Sequence, residues 1–262
     1  MEINLKPVGY VSSQQKFANE MPLHGDNARV EILPEYREAL TRITEHTHLW
    51  IISWLHEADR NVLSTVPRKV NADTPVYGVF GIRSPRRPNP IGLTLVKLLR
   101  VEDLSLIVEG MDAIDGTPVL DIKSYYDGDI IFSAGVADIR NSDPGKRLKG
   151  MLKHALAHHG EECADLLTAV RMAYMAEERM GQLTAPDLTL KIKGSRCFAD
   201  ALQGLTRGRL ANPERFIFTE DSEFNEVQWT KGDQSLVIKV LNLAANRDEF
   251  QSLTDQELFE AR

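Results

Sequence analysis

The sequence predicts two folds in tandem, a strand-rich first half and an α+β second half, and its 262 residues suffice for two ordinary domains. Three observations carry this expectation. Short apolar or alternating runs, separated by loops bearing proline and glycine, fill the first half. Small and polar residues from Ser133 to Pro144 interrupt that pattern, so the domains are read as 1–142 and 143–262. Beyond the boundary, apolar residues recur at three- and four-residue spacings before strand-like runs return, the order of an α+β domain.

In chain order, Lys6 to Ser13 reads as a first strand. Gln14 to Asn27 is a polar loop with Pro22 and Gly25 as breakers. Ala28 to Leu33 alternates as a half-buried strand does, and Pro34 to Ile43 puts Tyr36, Leu40 and Ile43 on one side of a short amphipathic helix. Thr47 to His56 is a continuous apolar run, expected as a central strand buried on both faces. His48 within it is read as a structural histidine. His56 and Glu57, at its polar end, are placed to reach a ligand. Arg60 to Val76 is a polar linker.

Tyr77 to Gly81 is expected to enter as an apolar strand and to turn into Arg83-Ser84-Pro85-Arg86-Arg87-Pro88-Asn89-Pro90, before Ile91 to Leu99 leaves as another strand. Three prolines fix φ, so this loop has little freedom to lose on binding. Its three guanidinium forks suit carboxylates and phosphates. A solvated proline turn joining two strands is the alternative. Leu104 to Met111 is a further strand that delivers Asp112 and Asp115. Carboxylates three apart suit a hard metal, acid–base work, or hydrogen bonds to ribose hydroxyls or a ligand ammonium. No third oxygen-rich cluster supports the metal, and an Asx-type turn at Asp115-Gly116 is compatible with the other roles. Asp121 and Lys123 are read as a supporting ion pair.

The arginine–proline loop, the Asp112-Ala113-Ile114-Asp115-Gly116-Thr117-Pro118 run and His48-Leu49-Trp50 together resemble the TsaA/TrmO-like family over residues 5 to 140. That resemblance implies a small N-terminal β-barrel with short helices, S-adenosylmethionine as cofactor, and methyl transfer to N6 of threonylcarbamoyladenosine in tRNA. It also implies roles. Arg83 and Arg87 take the methionine carboxylate or a substrate anion. The Asp112, Ala113, Ile114 and Asp115 turn holds the adenosine, and Leu95 walls the pocket. Lys16, Phe17, Met21 and Pro22 lie where the family has a loop that closes over the cofactor; His56 and Glu57, from their place at the strand's polar end, are read as positioning it. No proton-abstracting base is evident, and His56 and Asp115 are the catalytic candidates. A small or metal-bound methyl acceptor held by the second domain is the alternative substrate, and a non-catalytic cofactor carrier is the alternative function.

In the second half, Lys146 to Gly181 is helical, with Gly160 a place to break it in two. Phe216 to Phe218, Glu226 to Trp229 and Leu236 to Val240 are short strands, and Ser252 to Glu257 offers an N-cap for a final helix. His159 and Cys163, four apart, would share a helix face, and Cys197 opens another element. Sulfur and imidazole suit zinc or another transition metal, with simple core cysteines as the alternative. These segments resemble the FmdE family, in which a His-Gly-His-x-Cys-Pro-Gly run matches at His159, Gly160 and Cys163, and a Cys-x-x-Asp-x-x-Gln run at Cys197, Asp200 and Gln203. Glu161 and Ala164-Asp165 depart from it.

Composition bounds the partners. Hydrophobic content of 42% and charged content of 26% are those of a globular protein. No apolar run approaches the roughly 18–20 residues that cross a bilayer, Met1 to Lys6 carries no signal-peptide core, and two cysteines are too few for a secreted disulfide framework. A cytoplasmic protein without membrane contact is therefore expected; the family resemblance implies tRNA or a small methyl acceptor as its partner, and a homodimer is expected. A net charge of −7 counts against a large nucleic-acid footprint but leaves room for a local patch at Arg83, Arg86 and Arg87.

Overall fold

The computed structural model describes residues 3–221 and 223–262, so Met1 and Glu2 of the N-terminal expectation lie outside the described residues. The chain divides into two compact units, one made of residues up to Arg68 and from Asp73 to Ile130, the other of Lys69–Ala72 and Ile131–Arg262. Residues 131–142, which the sequence groups with the first half, belong to the second unit.

The first unit carries β1 (Gly9–Ser12), β2 (Asp26–Ile32), β3 (His48–Trp54), β4 (Ser64–Thr65), β5 (Tyr77–Gly78), β6 (Ile91–Glu102), β7 (Ser105–Met111) and β8 (Pro118–Ser124). Six of them close a barrel in the order β1-β2-β7-β6-β3-β8, with β8 pairing back onto β1 and every pair antiparallel. Closure leaves no edge to pair with another chain. Alternate side chains such as Val30, Leu49, Ile51, Val96, Leu106 and Val108 fill the interior. Burying each contributes about 1.5–3 kcal/mol, and a one-residue slip would turn the row outward, which fixes the register. Irregular steps at Asp26/Ala28, Ile52/Ser53 and Leu98/Arg100 supply the bends a small barrel needs.

Three expectations change here. β3 is not buried on both faces, because Leu49, Ile51 and Ser53 point inward while His48, Trp50, Ile52 and Trp54 face out half-buried. Two of its outer residues have local partners that cover them: Trp50 Nε1 donates to Asp129 at 3.0 Å, and Arg60 lies over the Trp54 ring at 5.5 Å. The strand expected from Tyr77 to Gly81 stops at Gly78, where its pairing with β4 runs out; Gly81 N then donates to Gly78 O in a turn. The amphipathic helix is a pair of 3-10 segments, Pro34–Leu40 and Ile43–Glu45, parted by left-handed Arg42. Tyr36, Leu40 and Ile43 still pack on the barrel core as their spacing implies.

The second unit holds α1 (Pro144–His159), α2 (Ala164–Met180), β9 (Leu188–Gly194), α3 (Arg196–Thr206), β10 (Phe216–Glu220), β11 (Glu226–Lys231), β12 (Gln234–Val240), α4 (Arg247–Ser252), α5 (Asp255–Leu258) and β13 (Phe259–Ala261). The strands form one sheet, β10-β9-β11-β12-β13, parallel only between β10 and β9. α2 and α3 pack on it over Trp229, Phe198, Leu166 and Leu202. The helical run breaks at Gly160 (φ +87°), as its position suggested. The capping box appears at Thr254 and Glu257, but the helix it starts has one turn before β13 begins.

Candidate functional site

Register places the expected ligand-binding segments together. Ser12 pairs with Arg29, Tyr10 with Pro118, Asp26 with Met111, Ser53 with Val119 and Trp54 with Ile91. The ends of β1, β3 and β7 and the starts of β2, β6 and β8 therefore meet at one mouth of the barrel. Met21 and Pro22 in the β1–β2 loop, His56 and Glu57 after β3, Arg83 and Arg87 before β6, and Asp112 to Asp115 between β7 and β8 all emerge there. Leu95 lies a short way down β6, on the outer face, opposite Trp50.

The loops at this mouth are tied to one another. Asp115 accepts from Ser13 N at 3.0 Å and from Lys16 Nζ at 2.6 Å, and its own amide donates to Gln15 O. Those bonds, the Lys16 one first, hold its carboxyl below the usual carboxylate range. A carboxylate so committed is a poor proton acceptor, which counts against Asp115 as a base. Gln15 Nε2 donates to Asp26 at 3.0 Å, and Gly25 (φ +68°) sits so close to Gly110 that a Cβ would lie 2.5 Å from its carbonyl. Only glycine fits that approach. Met21, Ala113 and Ile114 are buried beneath these loops, whereas Pro22, His56, Glu57 and Asp112 are exposed.

The three arginines divide by role. Arg87 turns inward and donates to the carbonyls of Ser84 (2.7 Å), Val79 (2.6 Å) and Ile82, so it clamps the loop from within. Arg83 and Arg86 are exposed. Arg60 donates to Pro88 O at 2.9 Å and pins the loop to the end of β3. No local pattern marks that contact, which spans 28 positions. A cavity of about 440 Å³ opens at the opposite end of this unit, between the 3-10 segments and Leu49, Ile122 and Ser124, and none of the residues expected to bind the ligand lines it.

The second unit gathers another group. One donor atom from each of His159, Cys163 and Cys197 lies within 4.8 Å of the others. They do not share a helix face as expected, because His159 ends α1 and Cys163 caps α2, its Sγ accepting from Leu166 N. The turn at Gly160 folds Cys163 back until its Sγ is 3.5 Å from His159 Nε2. Asp165, Ser195 and Asn225 link the starts of α2 and α3 beside it, a network that sequence reading missed.

Comparison with known proteins bears on the first unit most. Residues 10–128 match the family described as the tRNA-methyltransferase O N-terminal domain. A probable S-adenosyl-L-methionine-binding protein of Archaeoglobus fulgidus is 34% identical over 223 residues, covering 81% of this chain and 60% of its own length. A protein of the same description from Methanothermobacter thermautotrophicus is 44% identical over 131 residues, 48% of this chain and 93% of that one. A tRNA (adenine(37)-N6)-methyltransferase of Mus musculus is 45% identical over 100 residues, 37% of this chain and 22% of that protein. The chain thus spans three fifths of the Archaeoglobus relative and nearly all of the Methanothermobacter one. Among the described residues no helix is long and apolar enough to cross a membrane.

Proposed function

The chain belongs to the tRNA-methyltransferase O N-terminal domain family, and from that premise we propose that its first unit binds S-adenosylmethionine at the barrel mouth and methylates an adenosine nitrogen of tRNA. The observation that carries the reading is topological. Segments 13–27, 55–60, 80–90 and 112–116, far apart in sequence, emerge at one end of the barrel.

The groups there suit the cofactor's parts. Exposed Arg83 offers a fork for a carboxylate, and exposed Asp112 an acceptor for ribose hydroxyls or an ammonium. Phe80 and Leu95 present apolar surface. Ser53 Oγ and Thr117 Oγ1, next to this end, are buried without a protein partner and are spare polar groups for a ligand. The bound sulfonium supplies an activated methyl group. The protein's share of the rate is alignment and exclusion of water, for which loops tied through Asp115, Arg87 and Arg60 are suited. His56, exposed after β3, is the residue we assign to accept a proton from the acceptor nitrogen.

The family description and the mouse relative's name support tRNA as acceptor, with threonylcarbamoyladenosine N6 the specific target we favour. A second reading, a small or metal-bound acceptor, is favoured by the convergence of His159, Cys163 and Cys197, which we read as a metal-binding group in an FmdE-like unit. The test incubates the full chain with S-adenosylmethionine and bulk tRNA, then analyses digested nucleosides by mass spectrometry. A new methylated adenosine is expected. Cofactor bound to the protein with no methylated nucleoside would contradict the proposal and favour a carrier.

A further inference from the structure

We infer that His159, Cys163 and Cys197 form an open metal centre, in which three protein ligands hold a zinc-class ion and a small exogenous thiolate takes the fourth position. The inference rests on the metal-binding reading of the second unit. Zinc bonds of about 2.3 Å to sulfur and 2.0–2.1 Å to nitrogen, at tetrahedral angles, set the two donors about 3.6 Å apart. Cys163 Sγ and His159 Nε2 are already 3.5 Å apart. Cys163 is half-buried at the edge of the core and Cys197 lies at the surface, so the group is reachable from solvent.

The surroundings hold the trio in place. His159 Nδ1 is 2.7 Å from Asp200 Oδ2, so the carboxylate accepts a hydrogen bond from Nδ1–H and leaves Nε2 as the coordinating nitrogen. The other oxygen of Asp200 lies 3.2 Å from His158 Nε2. α1 can approach α3 this closely because position 204 is glycine, where a Cβ would meet the His158 side chain at 2.7 Å. Asp165 accepts from Ser195 Oγ at 2.6 Å and from Asn225 Nδ2 at 3.1 Å, which fixes the start of α2, bearing Cys163, to the start of α3, bearing Cys197. Three elements thus converge through bonds that are not themselves ligands, as a supporting shell does.

Among the described residues, no further histidine, cysteine or carboxylate joins the trio. Structural zinc sites close with four protein ligands, whereas three leave a position for a small molecule. A cavity of about 360 Å³ adjoins the group, with Cys163 in its lining beside Leu167, Asn246 and Arg247. Two thiolates offset the dication, so the centre is neutral and soft, and it favours a soft donor such as a thiolate over hard oxygen ligands. A thiol bound there is deprotonated by the metal.

Cobalt(II) reports all of this, because thiolate coordination gives near-ultraviolet charge-transfer bands and tetrahedral cobalt gives visible bands. The full chain, purified without chelator, should take up one cobalt per chain with both signatures. Cys163→Ser and Cys197→Ser should each lose the metal while far-ultraviolet circular dichroism stays as in the wild type. Asp200→Asn should keep the spectrum but weaken affinity about 10- to 100-fold, the usual effect of removing a supporting carboxylate. Adding 2-mercaptoethanol to cobalt-loaded protein should raise the charge-transfer band as a third thiolate binds. Folded wild type that takes up neither cobalt nor zinc would overturn the metal-binding reading itself. Metal bound through the cysteines, with a spectrum indifferent to 2-mercaptoethanol, would overturn the open position and leave the metal in place.

Discussion

Lys16 and Asp115, 99 positions apart, meet at 2.6 Å and join the loop after β1 to the turn before β8. Both side chains are partly exposed, so the ion pair contributes only about 0–1 kcal/mol to global stability. Its effect is local. Asp115→Asn should leave the melting temperature nearly unchanged while the amide of Ser13, which donates to the same carboxylate, exchanges faster in hydrogen-exchange measurements. Equal protection in variant and wild type would show that the loop is held by other contacts.

The same pair predicts a pH dependence. Lys16 and the Ser13 amide lower the folded-state pKa of Asp115. Its contribution is therefore fully present above the unfolded value of about 3.9 and is lost as pH falls through the lower folded value. Ser13 protection, corrected for intrinsic exchange, should fall in that acid window in the wild type and show no such step in Asp115→Asn. A step at neutral pH would point to another group.

Arg83 and Arg87 should behave differently although both sit in one loop. Arg87→Ala removes three internal hydrogen bonds to carbonyls and should cost about 2–3 kcal/mol of stability, seen in thermal melts. Arg83→Ala should melt as the wild type does and weaken S-adenosylmethionine binding by about 1–3 kcal/mol, with Arg83→Lys restoring part of it. Calorimetry reads the second effect. Wild-type affinity in Arg83→Ala would remove that residue from the site.

Gly25→Ala tests the close approach of the first loop to β7. The new Cβ would lie 2.5 Å from the Gly110 backbone at a φ of +68°, and backbone cannot swing away as a side chain does. A loss of about 1–3 kcal/mol is expected in denaturant titration. Gly116→Ala shares a positive φ (+73°) but has nothing within 4 Å, so it should cost less. Equal costs would mean that backbone conformation alone, not the approach to Gly110, sets the effect.

Much of the fold could be read from local pattern, and the misreadings have physical causes. The break at Gly160 and the strands at Phe216, Glu226 and Leu236 follow from residue type and period. β3 looked buried on both faces because Trp50 and Trp54 are covered by Asp129 and Arg60, contacts that no window of sequence contains. The alternation of Leu188, Leu190 and Ile192 is a strand signal of only three apolar positions, weak beside the long helical run that precedes it. Arg87 reads as a ligand-binding cation until the turn conformation shows carbonyls at its fork. The approach of Cys197 to His159 and Cys163 depends on Asp165, Ser195 and Asn225, spread over 60 positions.

The central claim, that the barrel mouth holds the cofactor, is tested most directly by ultraviolet cross-linking of labelled S-adenosylmethionine to the full chain, followed by peptide mapping. Label is expected on peptides spanning 13–27, 80–95 or 112–116, and it should diminish in Arg83→Ala. Label confined to residues 34–46, around the 440 Å³ cavity at the opposite end, would contradict the account.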